Sequence, residues 1–309
     1  MSDFVQQQHT VNAFSSSDSW VILSPIEQSI KQKIEAVGVP LKDWDINIYR
    51  GVLTGCNEAF IINTDKRNEI LANCKDEAER KRTEELIRPI LRGRDIKRYG
   101  YEWAGLYLIA TFPARHYDIE QYPAVKEYLL SFAEDYLRKN GCEWVVDDYL
   151  ADFCEQKLSQ TGKYIVINGK EITINGKKEK ARKKTSNKWF ETQDSISYWE
   201  DFYKPKLFYA DITQHLNFCF CREIMYCNNT TYFITTDNEH ELTHLQKCLN
   251  SSLIDWYYKT LSVQLGEKAV RMFSIYVLEI PMPPVGNDNI YKAYHLDDAE
   301  IAFIEGKEA

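Results

Sequence analysis

The stretch Lys163–Lys178, KYIVI-NG-KEITI-NG-KK, decides how the rest of the chain is read. Two Asn-Gly dipeptides, Asn168-Gly169 and Asn175-Gly176, separate short runs in which isoleucine and valine alternate with other residues. Period-two alternation puts one set of side chains on each face of a strand, and Asn-Gly suits the positive φ angles of a type I′ turn. The segment therefore predicts two tight hairpins in succession. Upstream, apolar residues recur at helical spacing over Pro123 to Arg138, with Gly141 beyond the end, and again from Val145 to Leu158. Downstream come a strand-type run at Lys206 to Ala210 and a hairpin signal, EIMYC-NN-TTYFITT, turning at Asn228-Asn229. Leu242, Leu245, Leu249, Leu253, Trp256 and Tyr257 then form one apolar stripe, read as a single long helix. Strands and helices without regular βαβ alternation predict an α+β (mixed α/β) fold, with β-hairpins and a long amphipathic helix toward the C-terminus.

Both ends carry helix signals. Ser24, Pro25 and Glu27 make a capping box with proline at the first helical position, and Gly38 with Pro40 stops that helix. Its apolar stripe is Ile26, Ile30, Ile34 and Val37. Strand-type segments at Ile46 to Tyr49 and Ala59 to Ile62 flank a turn at Thr54 to Glu58. A charged helix is expected from Asp76 to Ile87, breaking before Pro89, and a strand from Leu106 to Thr111. Near the end, Asp297 and Glu300 form a second capping box in DDAEIAFIEG. The expected division is a polar, serine-rich disordered tail over 1–19, one large domain over 20–290, and a capped helix with tail over 291–309.

The chain has 309 residues, net charge −8, and 20 Tyr, 14 Phe and 7 Trp. No apolar run approaches the roughly 18 residues of a spanning helix, and the N-terminus lacks the basic flank and apolar core of a signal peptide. The eight cysteines show no CxxC spacing and read as reduced thiols. A soluble cytoplasmic protein with no membrane partner is expected. The negative charge argues against indiscriminate nucleic-acid binding, but its distribution is uneven. Arg80 to Arg98 holds eight basic and three acidic residues, and Lys177 to Lys188 holds seven and one. A chain so polarised can turn one basic face to a polyanion while repelling it elsewhere, although charge alone favours the reading of both runs as solvated loop and helix faces.

Motifs for autonomous chemistry are missing. There is no glycine-rich cofactor loop, since GVLTG (Gly51 to Gly55) is not GxGxxG. No Asn/Asp-Pro-Pro-Tyr/Phe motif occurs, because Pro283-Pro284 follows Met282; Walker A, HExxH and GxSxG are also absent. His240 and His244 lie four apart on the predicted long helix without an obvious third metal ligand. Asp148 with Glu155-Gln156-Lys157 superficially matches the Asp…Glu-x-Lys set of Mg²⁺-dependent nucleases. That chemistry wants adjacent strand ends, whereas these residues fall in a helical pattern.

Several motifs occur in order: GVLTGCNEAFII (Gly51 to Ile62), ELIRPILRGRDIKRY (Glu85 to Tyr99), RKKTSNKWFETQDSISYWEDFYKPKL (Arg182 to Leu207), NSSLIDWYY (Asn250 to Tyr258) and VLEIPMPP (Val277 to Pro284). Together they resemble the C-terminal target-recognition (specificity) domain of TaqI-like and Eco57I-like type IIG restriction-modification proteins, related to type I specificity subunits. The resemblance spans about residues 20 to 305. It implies sequence-specific reading of double-stranded DNA for an adenine-specific DNA methyltransferase or methyltransferase–nuclease partner, in a restriction-modification or related phage-defence system. The catalytic region of such proteins is not recognised here, so this is expected to be a separate specificity subunit, a split-gene product or an excised module. No catalytic residue, metal or cofactor is assigned to this chain; S-adenosylmethionine, and Mg²⁺ for cleavage, are expected on the partner. Candidate DNA contacts are Arg92, Arg94, Lys97 and Arg98 for phosphates, with salt bridges to acids such as Asp95 as the competing role. Lys183, Lys184, Thr185, Asn187 and Lys188 are candidates for groove or backbone contact, and Thr54 and Asn57 lie in a tight turn beside Gly55. Trp189, Phe190, Tyr198, Trp199 and Phe202 are read as core aromatics. The competing readings are an interaction scaffold without DNA affinity and, last, an autonomous Mg²⁺-dependent nuclease.

Overall fold

The computed structural model describes residues 23–159, 164–181, 186–262, 264–265, 269–286 and 289–306. The proposed tail over 1–19 lies outside them. The principal elements are α1 (Pro25–Val37), β1 (Asn47–Arg50), β2 (Ile61–Asn63), α2 (Thr64–Ala72), α3 (Glu77–Leu86), β3 (Ile87–Leu91), β4 (Leu106–Ile109), α4 (Pro123–Lys139) and α5 (Glu143–Cys154). Then follow β5 (Lys206–Ala210), β6 (Cys219–Cys221), β7 (Tyr226–Cys227), β8 (Thr231–Thr235), α6 (Glu239–Leu249), α7 (Ser252–Leu261) and α8 (Asp298–Glu305). The fold is α+β.

Two four-stranded sheets organise it. One, in the order β6-β5-β8-β1, is antiparallel throughout; the other, β7-β3-β4-β2, has one parallel pair, β7 with β3. All five residues of β5 are buried because each face of this strand meets a different core. Leu207 and Tyr209 pack on the side of α1, α6 and α7, with Ile30, Ile34, Leu245 and Leu253. Phe208 packs on the other side with Phe233, Phe202 and the residues of β3 and β4. That is why Leu207 to Ala210 read as a continuous apolar run rather than an alternating one.

A third, smaller core joins α4 and α5 to the Asn-Gly segment. Both hairpins form: Val166–Ile167 pairs with Lys170–Glu171, and Thr173–Ile174 with Lys177–Lys178. Asn168 and Gly169 have φ of 47° and 72°, and Asn175 and Gly176 have 51° and 74°, the type I′ signature. Ile165, Ile167, Ile172 and Ile174 face inward. Both capping boxes also form, at Ser24–Glu27 and Asp297–Glu300. The Glu300 carboxylate reaches α1 as well, bonding Ser29 at 2.7 Å and Lys33 at 2.6 Å.

Two expectations are corrected. The predicted long helix is two, α6 and α7, because Asn250 leaves the helical path and Ser251 starts a new N-cap. The Asn250 amide is buried and tied to the main chain of Phe218, accepting from its N–H at 2.7 Å and donating to its carbonyl at 2.9 Å. The turn at Asn228-Asn229 closes no hairpin: β7 pairs with β3 of one sheet, while β8 sits between β5 and β1 of the other. Asn228 Oδ1 accepts from Thr230 N–H and Oγ1–H, so the turn chemistry is local while its strands answer to different partners. The charged helix ends before Pro89 as expected: α3 stops at Leu86, and β3 runs on through Pro89.

Candidate nucleic-acid interface

Motifs distant in sequence meet at the junction of the two sheets. Beyond β1 the chain leaves one sheet for the other: Gly51 N–H bonds Thr231 O at 2.8 Å and Val52 N–H bonds Cys227 O at 2.7 Å. Gly93 N–H donates to Thr230 Oγ1 at 2.9 Å, and Asn228 N–H to Leu91 O at the same distance. The segment after Asn187 lies across this junction. Thr192 N–H bonds Thr111 O, Gln193 N–H bonds Thr54 O, and Asp194 N–H bonds Leu53 O. Tyr198 closes the set, stacking on Tyr49 at 4.4 Å and donating to Arg50 O at 2.7 Å.

Within this frame the candidates separate into roles. Arg92 forms a forked pair with Asp95, Nε to Oδ2 at 3.0 Å and Nη2 to Oδ1 at 2.8 Å, so it braces the turn. Burial pushes the Asp95 carboxyl up, but bonds from the Arg92 side chain and main chain outweigh it and hold the group below its ordinary range. Arg94 is exposed, with no ion pair among the described residues. Lys97 is exposed between Arg94 O at 3.1 Å and Glu102 at 3.5 Å. Arg98 bonds Asn250 O and lies 5.4 Å from the Tyr99 ring centroid. With Tyr99, Lys247 and Ser251 it lines an open cavity of about 320 Å³.

Thr54 is fully buried and its hydroxyl donates to Asn57 Oδ1 at 2.7 Å, so this pair shapes the local turn. Asn57 itself begins a single helical turn, Asn57–Phe60, where an extended segment from Ala59 was expected. Asn187 donates through Nδ2 to Thr192 O at 2.7 Å and Gln193 O at 2.9 Å. Lys188 is exposed, its ammonium 3.4 Å from Tyr117 O. Lys183, Lys184 and Thr185 lie outside the described residues. Phe190 and Phe202 are core residues, as expected.

Asn187→Ala is expected to destabilise the fold by about 1–3 kcal/mol, because it strips a donor from two carbonyls in a buried segment. Urea unfolding checks this. A change of base preference at unchanged stability would instead make Asn187 a reader.

The nuclease arrangement fails. Asp148 lies on α5 and Glu155 and Lys157 on the helical turn that continues it, and the Lys157 ammonium pairs with Glu179 of the second hairpin. His244 bonds Pro283 O at 3.0 Å and stacks on Trp44, while His240 is exposed. No group of three metal-ligating side chains gathers among the described residues. Among those residues, too, no helix is long and apolar enough to cross a membrane. Sequence reading passed over Arg115, a lone cation in no motif, which lies 3.9 Å from the Trp199 ring centroid.

The chain's fold is similar to that of the type IIG restriction endonuclease BpuSI, with TM-score 0.52, 13% identity, and coverage of 92% of this chain and 28% of that one. A weaker likeness, TM-score 0.43 and 12% identity, is to the type IIL restriction-modification enzyme MmeI in complex with DNA, covering 86% of this chain and 28% of that one. The chain thus spans about 28% of the length of either enzyme. No curated protein matches it. Residues 154–282 match the TaqI-like C-terminal specificity domain, and over that stretch the resemblance drawn from the motifs is borne out.

Proposed function

We propose that this chain is the duplex-DNA reading module of a restriction-modification system, directing an adenine-specific DNA methyltransferase or methyltransferase–nuclease to its target. The observation that carries the reading is the match of residues 154–282 to a specificity domain. Exposed cations at Arg94, Lys97 and Arg98 supply phosphate contacts, while side chains reaching base edges supply sequence. Methyl transfer with S-adenosylmethionine, and Mg²⁺-dependent cleavage, belong to the catalytic region or subunit that acts with it. The scaffold reading is weakened by the broken helix, whose leucines are spent on this chain's own core.

The test is selection from a pool of random duplexes at low and moderate salt, with and without the methyltransferase partner. Enrichment of one short motif, lost steeply as salt rises, is the expected result. No enrichment in any condition would overturn the reading in favour of a scaffold.

A further inference from the structure

Four cations, Arg82, Arg88, Arg115 and Lys188, gather around one group of rings. Arg115 stands 3.9 Å from the Trp199 ring centroid and 5.4 Å from that of Tyr117. Lys188 reaches Tyr117 O at 3.4 Å. Arg82 donates to Gln121 O at 3.3 Å, beside Tyr122, whose ring meets Tyr117 edge-on at 5.7 Å. Arg88 donates to Glu85 O at 2.9 Å, and its charge reaches Tyr117 together with that of Arg115. Burial pushes the Tyr117 hydroxyl up to about 12 against the pull of these two guanidinium groups.

Most arginines elsewhere are neutralised: Arg67, Arg92, Arg138 and Arg222 are held by Glu84, Asp95, Glu134 and Glu239. None of Arg82, Arg88, Arg115 and Lys188 has an ion pair among the described residues, and all but Arg88 are exposed. The acids nearby are partly committed. Glu120 binds Lys126 at 2.6 Å, Asp118 caps the turn at Glu120, and Glu191 accepts from the Lys188 main-chain N–H at 2.7 Å, while the charge of Glu85 reaches Tyr122. These cations are positioned by carbonyls and aromatic faces. Stacking on an indole occupies the face of a guanidinium and leaves its in-plane N–H groups for a second partner. In a chain of net charge −8, such a cluster has an anionic ligand as its natural complement.

We propose that Arg82, Arg88, Arg115 and Lys188, set on Tyr117 and Trp199, form a face that grips the sugar–phosphate backbone of duplex DNA. This rests on the DNA-reading function proposed above and adds a specific contact surface to it. Its contribution is independent of base sequence, because phosphates carry none.

The experiment measures binding to a random-sequence duplex across a salt series. It compares the wild type, the triple variant Arg82→Gln/Arg115→Gln/Lys188→Gln, and a control carrying Lys42→Gln, Arg138→Gln and Arg222→Gln. The two variants change charge equally, but the control removes exposed cations paired with acids on other surfaces. The salt slope of the first is expected to fall by about three, and its affinity near 0.1 M salt by roughly tenfold or more. The control should lose less than one unit of slope, and Arg115→Lys should keep the wild-type slope. Wild-type binding with an unchanged slope in the triple variant would overturn the face while leaving the DNA-reading function standing. Failure of the wild type to bind any duplex at low salt would overturn both.

Discussion

Gly51→Ala is expected to destabilise the fold by roughly 3 kcal/mol, at the upper end of what overpacking costs. An added Cβ would sit 2.1 Å from Asn228 O, 2.6 Å from Cys227 O and 2.7 Å from Asn228 C. All three are main-chain atoms, so no side chain can swing aside. Nor can the neighbouring strands retreat without loss. Gly51 N–H is bonded to Thr231 O, Val52 N–H to Cys227 O, and Asn229 N–H to Val52 O, at 2.7 to 3.0 Å. Moving the two chains apart by the needed distance breaks the crossing that joins the sheets. Urea unfolding of the variant measures the loss. A midpoint shift of a few tenths of a molar or less would show that this junction yields more easily than its bonding implies. DNA binding should fall with it, since the candidate residues on both sides of the junction are held by this crossing.

Lys206→Met is expected to stabilise the protein at neutral pH by about 2–3 kcal/mol. Lys206 is fully buried in β5, opposite Cys221 and Thr235, and its ammonium donates to Glu223 O at 3.1 Å. No carboxylate pairs with it among the described residues. Burial pulls its pKa down from 10.5 to about 8, with weaker opposing pulls from Cys221, Cys227 and Glu223. The folded-state value therefore lies below the unfolded one. Below pH 8 both states hold the proton and the penalty for a buried charge is full. Between 8 and 10.5 the unfolded chain binds more protons, so stability rises with pH, and above 10.5 the penalty is gone. The advantage of the methionine variant should accordingly be largest at pH 7 and shrink steadily by pH 10. Paired urea titrations at several pH values test this. An advantage independent of pH would mean that charge burial at this position is not its source.

What the sequence by itself determined is what has a local cause. The two Asn-Gly hairpins follow from positive φ at adjacent residues, and the capping boxes at Ser24 and Asp297 from side chains three positions from their partners. The α1 stripe follows from apolar periodicity, and the strand at Lys206 to Ala210 from the unbroken run Leu207 to Ala210. The specificity-domain resemblance was legible too, because its motifs keep their order along the chain. Partner choice was not. Asn228-Asn229 announces a turn, yet whether β7 and β8 pair with each other or with β3 and β5 depends on strands more than a hundred residues away or in another sheet. The stripe from Leu242 to Tyr257 continues across Asn250 because both helices pack on one core, so periodicity alone hides the break that the bonds to Phe218 impose. The same holds for the site. Arg92 looked like Arg94 in sequence and became a brace only when Asp95 was buried against it. Arg115 carried no signal until folding set it on Trp199 beside Lys188 and Arg88, because a charge cluster built from separate segments is a property of packing and not of any window of residues.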